Sequence, residues 1–199
     1  MYPILPVLNS KPNTAVKICG PDPVVLCIGN IRKNKGQLLL LQALEKVEHD
    51  MNVIFVGGIK EENYYRKLKN YIETHNLGDR VQFAGFLDPE ELTSLYSNVD
   101  IVVSPTLKEG FGMAVYEAMY CGKCVICTAV GGIVEQIDDG VNGFLAPPEN
   151  EHVLAEKITL CADNQKLRDD VGACARARAL QFPSLDQQAQ DLYKQLEGQ

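Results

Sequence analysis

The chain has 199 residues, of which 46% are apolar and 23% charged, an ordinary composition for a soluble globular protein with room for one sizeable domain. Its formal net charge of −7 argues against a broad nucleic-acid-binding face, which would need a basic surface. No apolar run approaches the roughly 18–20 residues that cross a bilayer, and the first residues lack a signal-peptide pattern, so only peripheral membrane contact stays open.

The first part of the chain divides at Val24. Residues 1–23 contain five prolines among short apolar pieces, which is typical of a linker rather than of a folded element. Residues 24–28 are continuously apolar and are followed by Gly29, and such a run predicts a strand that is buried on both faces of a parallel sheet. The loop over 30–35 then brings three cationic side chains close together.

Helices and strands alternate along the rest of the chain. The predicted elements are a helix over 36–48, a strand over 52–57, a helix over 61–75, a strand over 81–84, a helix that begins with a capping box at 88–91, a strand over 100–104, a helix from 112, a strand over 124–128, a short strand over 142–145, and helices over 149–161, 164–180 and 184–196. This alternation predicts an α/β fold with a doubly wound parallel sheet and right-handed crossovers. Because ligands bind such sheets at the carboxyl ends of the strands, the loops that follow the strands should form one site.

The segment over 104–120 holds the most informative side chains. Glu109 lies in the loop after a predicted strand, Gly110-Phe111-Gly112 opens a helix, and Glu117 follows about one turn into that helix. The free N–H groups of a helix N-terminus suit a phosphate, and Lys35 would add a cation. Glu117 could accept hydrogen bonds from ribose hydroxyls, and Glu109 from the hydroxyls of a second sugar.

Each of these features has a simpler explanation when it is taken alone. The cationic loop fits a solvated turn, the glycines fit a tight loop, and each glutamate fits an ordinary surface position. Together, at one edge of one sheet, they favour a site for an anion and a polyol, such as a nucleotide sugar. No G-x-G-x-x-G follows the first strand and no G-x-x-x-x-G-K-[ST] occurs, which disfavours a nicotinamide dinucleotide and a phosphate-loop ATPase.

The seven cysteines do not predict a disulfide framework, because their number is odd and the chain is large for one. Cys121, Cys124 and Cys127 have a spacing that resembles a metal or iron–sulfur site, but no fourth ligand lies nearby in the sequence. We therefore expect no metal, a helix that ends at Cys121, and a strand in which Cys124 and Cys127 are small core residues.

Six short motifs follow one another along the chain, and their residues, order and spacing form a specific pattern. They are Gly29-x5-Lys-Gly36, Val53-Ile-Phe-Val-Gly57, Val81-x-Phe-x-Gly85, Glu109-Gly-Phe-Gly-x4-Glu117-Ala-Met-x-Cys-Gly122, Val125-Ile-x4-Gly-Gly132-x2-Glu135 and Asp139-Gly-x-Asn-Gly-Phe-Leu145. Over about residues 24–197, the chain resembles the C-terminal, donor-binding half of retaining glycosyltransferases of family 4. Such enzymes have the GT-B architecture, in which two Rossmann-like domains face a cleft.

The resemblance implies roles for individual residues. Lys35 would bind the donor diphosphate and Glu109 the donor sugar, and these two form the predicted catalytic pair. Glu117 would hold the ribose, and the backbone at Gly85 and Phe86 would lie by the base. The complete predicted donor site consists of Gly29, Asn30, Lys35, Gly85, Phe86, Glu109, Gly110, Phe111, Gly112, Met113 and Glu117.

The resemblance also implies a division of the chain and a reaction. Residues 1–23 would be an interdomain linker, residues 24–181 a Rossmann-like nucleotide-sugar-binding domain, and residues 182–199 a helix that crosses back to pack on an N-terminal domain. The enzyme would transfer a sugar from a UDP-, GDP- or ADP-sugar, with retention and without metal or cofactor, in polysaccharide or glycoconjugate biosynthesis. Its acceptor would be a carbohydrate or a lipid-linked molecule bound by the N-terminal domain, and its location cytoplasmic, with or without peripheral membrane association.

One position departs from the family pattern. Asn30 stands five residues before Lys35, where the family usually has arginine, and the loss of a fixed cation would weaken stabilisation of the departing phosphate unless Arg32 replaces it. This departure and the absent acceptor half favour an alternative, a non-catalytic nucleotide-sugar-binding module or subunit that needs a partner chain. A GT-B sugar-nucleotide epimerase would fit the sheet but not the spacing of Glu109 and Glu117.

Overall fold

The computed structural model describes residues 23–182. The predicted linker, apart from Pro23, and the helix predicted over 184–196 lie outside the described residues. The strands are β1 (Val24–Ile28), β2 (Asn52–Val56), β3 (Val81–Gly85), β4 (Ile101–Ser104), β5 (Cys124–Thr128) and β6 (Phe144–Ala146). The helices are α1 (Gln37–Leu44), α2 (Glu62–Thr74), α3 (Pro89–Ser97), α4 (Met113–Tyr120), α5 (Ile133–Gln136), α6 (Glu151–Asp163) and α7 (Gln165–Ala179).

The six strands form one parallel sheet in the order β3-β2-β1-β4-β5-β6. Leu26 of β1, for example, lies between Ile54 of β2 and Val102 of β4. This is the strand order of doubly wound nucleotide-binding folds, and it confirms the predicted Rossmann-like sheet. Because the order reverses between β1 and β4, the loops that follow these two strands diverge and leave a crevice at the carboxyl edge of the sheet.

Alternate residues of each strand enter two separate cores. Val25 and Cys27 of β1 pack in the core that includes α1, α2 and α6, whereas Leu26 packs in the core that includes α3, α4 and α7. The central strands are therefore buried on both faces. This two-sided burial is the reason that they are continuously apolar in the sequence.

Some helix boundaries agree with those predicted from the sequence, and others differ. The predicted capping box is confirmed, since the Asp88 carboxylate accepts from the Glu91 N–H at 2.8 Å and the Glu91 carboxylate accepts from the Asp88 N–H at 2.9 Å. Helix α1 ends at Leu44, four residues early, because the N–H groups of Lys46 and Val47 bond carbonyls three residues back and tighten the chain into a turn. The four-residue helix α5 was not predicted, since so short an element has no periodicity to detect.

The cysteines confirm the prediction of core residues in a strand. Cys124 and Cys127 are buried in β5, and Cys121 follows the last residue of α4. The Sγ atom of Cys124 lies 3.6 Å from that of Cys161 in α6. Within residues 23–182, no three histidine, cysteine or acidic side chains gather as metal ligands would. In the same part of the chain, no helix combines the length and the apolar character that a membrane span requires.

Candidate functional site

Two loops at the carboxyl edge bring opposite charges together where the strand order reverses. Lys35 closes a single 3₁₀ turn (Lys33–Lys35) after β1, and Glu109 lies in the loop after β4. The Lys35 Nζ lies 2.5 Å from the Glu109 Oε2, although the two residues are 74 positions apart in the chain. The side chains remain 24% and 20% exposed, so the ion pair is accessible from the crevice.

Close backbone contacts at two glycines hold these loops in place. A Cβ atom on Gly36 would lie 1.9 Å from the carbonyl oxygen of Pro105, and one on Gly131 would lie 1.7 Å from that of Glu109. Both glycines also have left-handed φ angles, 69° and 52°. The loops after β1 and β5 therefore pack directly against the loop after β4, and a side chain at either glycine would force them apart.

The N-terminus of α4 presents backbone donors beside this ion pair. The N–H of Gly110 donates to the Glu109 Oε1 at 3.2 Å. By contrast, the N–H groups of Phe111, Gly112 and Met113 have no acceptor within residues 23–182. Such free N–H groups carry partial positive charge and form a common binding site for anions.

Glu117 lies on α4 about 7.5 Å from Gly112 along the helix axis, given a rise of 1.5 Å per residue. It is half-buried, and burial raises the pKa of its carboxyl group above the ordinary value. In the described part of the chain, no donor reaches this carboxylate. A half-buried carboxylate without hydrogen-bond donors is stabilised when a ligand brings hydroxyl groups that donate to it.

The remaining predicted residues follow β1 and β3. Gly29 lies against Lys35, since a Cβ atom there would be 3.3 Å from the Lys35 Cδ, and Asn30 is exposed. The carbonyl of Gly85 accepts from the N–H of the residue that follows β2, at 2.7 Å, and Phe86 is 84% exposed. Strand β3 lies two steps from β1, about 10 Å across the sheet, which is within the length of an extended nucleotide.

Two buried glutamines were missed in the sequence. The Gln37 Nε2 donates to the carbonyl of Asn30 at 3.0 Å, and the Gln136 Nε2 donates to the carbonyl of Phe111. Each therefore fixes the backbone of a loop that borders the crevice. A polar residue beside a run of leucines, as at Gln37, or next to an apolar residue in a short segment of apolar character, as at Gln136 before Ile137, is the signal that could have identified them.

These parts together suit a ligand that carries both phosphate and hydroxyl groups. Lys35 and three free N–H groups offer positive charge, whereas Glu109 and Glu117 offer carboxylate acceptors. They come from different loops at one point of the sheet, where doubly wound folds bind nucleotides. The structure brings Lys35, Glu109 and the start of α4 together, and it places Gly85 and Phe86 farther along the same edge.

The comparison with known families decides the identity. The family described as "Glycosyl transferases group 1" matches residues 13–178, which is most of the chain. This chain belongs to the glycosyl transferases group 1 family. It is a Rossmann-like domain of the GT-B type.

Individual relatives agree with this assignment to group 1. The chain is 32% identical over 162 residues to N,N'-diacetylbacillosaminyl-diphospho-undecaprenol alpha-1,3-N-acetylgalactosaminyltransferase of Campylobacter jejuni, covering 80% of this chain and 41% of that protein. It is also similar to the crystal structure of HepE from Anabaena in complex with UDP and glucose, with a TM-score of 0.83 and 30% identity, over 89% of this chain and 49% of that one.

A third comparison covers most of both partners. The C-terminal domain of a group 1 glycosyl transferase from Francisella tularensis matches with a TM-score of 0.72 and 29% identity, over 79% of this chain and 84% of that one. By contrast, the chain spans about two fifths of the length of the curated relatives that it matches. The similarity therefore concerns one domain of those longer proteins.

Proposed function

We propose that this chain is the donor-binding half of a retaining glycosyltransferase of family 4. It would bind a nucleoside-diphosphate sugar at the carboxyl edge of the sheet and transfer the sugar to an acceptor with retention of configuration, without metal or cofactor. The observation that carries the proposal is the meeting of Lys35 and Glu109 where the strand order reverses, beside the free N–H groups of α4.

The proposed reaction depends on charge at the departing phosphate. The Lys35 ammonium would offset the negative charge that develops there as the glycosidic bond breaks, and the free N–H groups over 111–113 would contribute in the same direction. Glu117 would accept hydrogen bonds from the ribose, Glu109 from the transferred sugar, and the base would lie near Gly85 and Phe86. Asn30 supplies no cation, so Lys35 would carry more of this stabilisation than it does in relatives with arginine there.

The comparisons support a choice of donor and acceptor. The UDP complexes of HepE support a UDP-sugar, with GDP- and ADP-sugars as the other candidates. The name of the Campylobacter relative contains a diphospho-undecaprenol group, which supports a lipid-linked acceptor that would bind an N-terminal domain. An enzyme with such an acceptor would work at the cytoplasmic membrane surface. Residues 1–23 would then be the linker to that domain, and residues 182–199 would pack on it.

Calorimetry with a panel of UDP, GDP, ADP and their sugar conjugates tests the donor site. We expect one nucleotide to bind, and Glu117→Ala to weaken its binding by about 1.5–3 kcal/mol, the range for a hydrogen bond to a charged group. Glu156→Ala removes a carboxylate from the exposed face of α6 and is the matched control, with unchanged affinity. If no nucleotide of the panel binds, the proposed function is wrong. If Glu117→Ala binds as tightly as the unmodified chain, the ribose assignment is wrong.

A second candidate is a non-catalytic nucleotide-sugar-binding module that needs a partner chain. Asn30 in place of the usual arginine favours it. Both candidates predict donor binding with little or no sugar transfer by the 199-residue chain alone. They differ once an acceptor domain is supplied in trans, since only the enzyme would then turn over, and its turnover would depend on Lys35.

A further inference from the structure

The Glu109 carboxylate already engages the donors that a phosphate would need. Its Oε2 lies 2.5 Å from the Lys35 Nζ, and its Oε1 accepts from the N–H of Gly110 at 3.2 Å. Lys35 supplies a cation that borders the crevice, and Gly110 supplies a backbone N–H donor of the glycine-rich loop. A carboxylate and a phosphate are both oxyanions that take such donors, so Glu109 occupies the place of a bound anion.

We propose that Glu109 acts as an internal anion that the phosphates of the nucleotide must displace, and that this competition lets the site favour a nucleotide sugar over the free nucleoside diphosphate. The proposal rests on the proposed function, because it takes the nucleotide site as given. It deepens that function by giving Glu109 a role in discriminating the donor from the product that remains after sugar transfer.

The competition follows from charge. When a phosphate takes over Lys35, the Glu109 carboxylate loses its partner and stays close to a second negative group, which is unfavourable in a partly buried crevice. An intact donor brings sugar hydroxyls that can donate to the released carboxylate. A free nucleoside diphosphate lacks the transferred sugar, and its ribose hydroxyls are assigned to Glu117, so it must displace Glu109 without this compensation.

The surrounding backbone keeps Glu109 in position for this exchange. The carbonyl of Gly110 accepts from the N–H of Gly132 at 2.7 Å, and Gly131 lies against the Glu109 carbonyl so closely that no Cβ atom would fit. The Lys35 methylene groups lie against Gly29. Both charged groups therefore come from positioned loops, and their separation requires a change of side-chain partner rather than a rearrangement of the sheet.

Calorimetry on Glu109→Gln tests the displacement. This variant keeps the size of the side chain and its capacity to bond hydroxyls but removes the competing charge. We expect the affinity for the free nucleoside diphosphate of the panel that binds to rise about threefold to tenfold, the range that matches a partly buried ion pair. The affinity for the nucleotide sugar should rise less or fall, so the preference for the sugar-linked form should decrease. Glu156→Gln, with the same change of charge on α6, should alter neither affinity.

A double-mutant cycle with Lys35→Met locates the effect. In the Lys35→Met background the competition for the ammonium is gone and only the direct repulsion between carboxylate and phosphate remains, so Glu109→Gln should raise the affinity for the free nucleoside diphosphate by clearly less than it does when Lys35 is present. An equal gain in both backgrounds would overturn the proposal, because the effect would then not pass through Lys35. Unchanged or weaker binding of the free nucleotide by Glu109→Gln would overturn it as well. Absence of any nucleotide binding by the unmodified chain would instead overturn the proposed function, so the two failures are distinguishable.

Discussion

Ion pairs stand at both edges of the sheet, and they differ in what surrounds them. At the amino edge, the Nη2 of Arg168 in α7 lies 3.5 Å from the Oδ1 of Asp100. The Arg168 Nη1 also donates to the carbonyls of Cys161 and Ala162, at 2.6 and 2.9 Å, and the Asp100 Oδ2 accepts from the Val24 N–H at 2.8 Å. This pair therefore joins the end of α6 to the beginnings of β1 and β4.

At the carboxyl edge, the pair of Lys35 and Glu109 joins two loops and no strand or helix end. Free N–H groups lie beside it, and Glu117 follows on α4 without a donor in the described residues. The difference shows how charge serves two purposes in one fold. Where the charged groups also bond the backbone of neighbouring elements, as at Arg168 and Asp100, an ion pair stabilises the domain. Where unmatched groups accumulate around it, the arrangement suits a ligand.

The largest expected difference between the two edges is in how substitution of a charged residue changes the stability of the protein. Arg168→Met removes three charge-assisted hydrogen bonds, including the one to its ion-pair partner Asp100, so we expect the free energy of unfolding to fall by about 2–4 kcal/mol. Nucleotide affinity of the folded protein should not change. Denaturant unfolding and calorimetry measure the two quantities. Lys166→Met, which removes an exposed pair with Asp170 on the same helix, is the control and should leave stability unchanged. An unaltered unfolding midpoint for Arg168→Met would contradict the structural role.

A smaller effect should come from the loop contacts of the carboxyl edge. Gly131→Ala places a Cβ atom against the Glu109 carbonyl, so we expect a loss of about 1–3 kcal/mol of stability together with weaker nucleotide binding. Gly140→Ala is a matched control, because Gly140 also has a left-handed φ angle, 76°, but no atom within 4 Å of the added Cβ. It should lose about 1 kcal/mol from strain alone and keep its affinity. Equal binding losses in the two variants would show that the close contact at Gly131 does not matter for the site.

The smallest effect concerns the pH dependence of stability at Glu117. Burial raises the pKa of Glu117 in the folded protein above its value in the unfolded chain. Above the folded pKa, the ionised carboxylate therefore destabilises the protein that has no nucleotide bound. Below the unfolded pKa, the group is protonated in both states and this cost is absent. We expect Glu117→Gln to be more stable at pH 7.5 by less than about 1 kcal/mol after solvent screening, with the difference vanishing below about pH 4.

Denaturant unfolding at both pH values measures this difference, with Glu156→Gln on the exposed face of α6 as the control. A Glu117→Gln variant that is less stable at pH 7.5 would indicate an internal partner for the carboxylate. Glu117 would then resemble Asp100 at the amino edge rather than a ligand-binding group.

Much of the fold could be predicted because its signals are local. The apolar run of β1 and the capping box at Asp88 each lie within a few residues, and both were confirmed. The end of α1 and the existence of α5 could not be predicted, because backbone hydrogen bonds over one turn decide them and leave no pattern of apolar residues. The choice of Lys35 and Glu109 as site residues came from their place in loops and from motif spacing.

The sequence by itself determined the alternation of strands and helices, and hence that the loops after the strands would lie at one edge. It also determined which of those loops carry charge. Only the tertiary structure decided that Lys35 and Glu109 touch across 74 positions, that Gly131 packs on the Glu109 carbonyl, and that Gln37 holds the backbone at Asn30. The reason is physical: strand order and close packing set the distances between remote residues, and neither is encoded in any single segment of the chain.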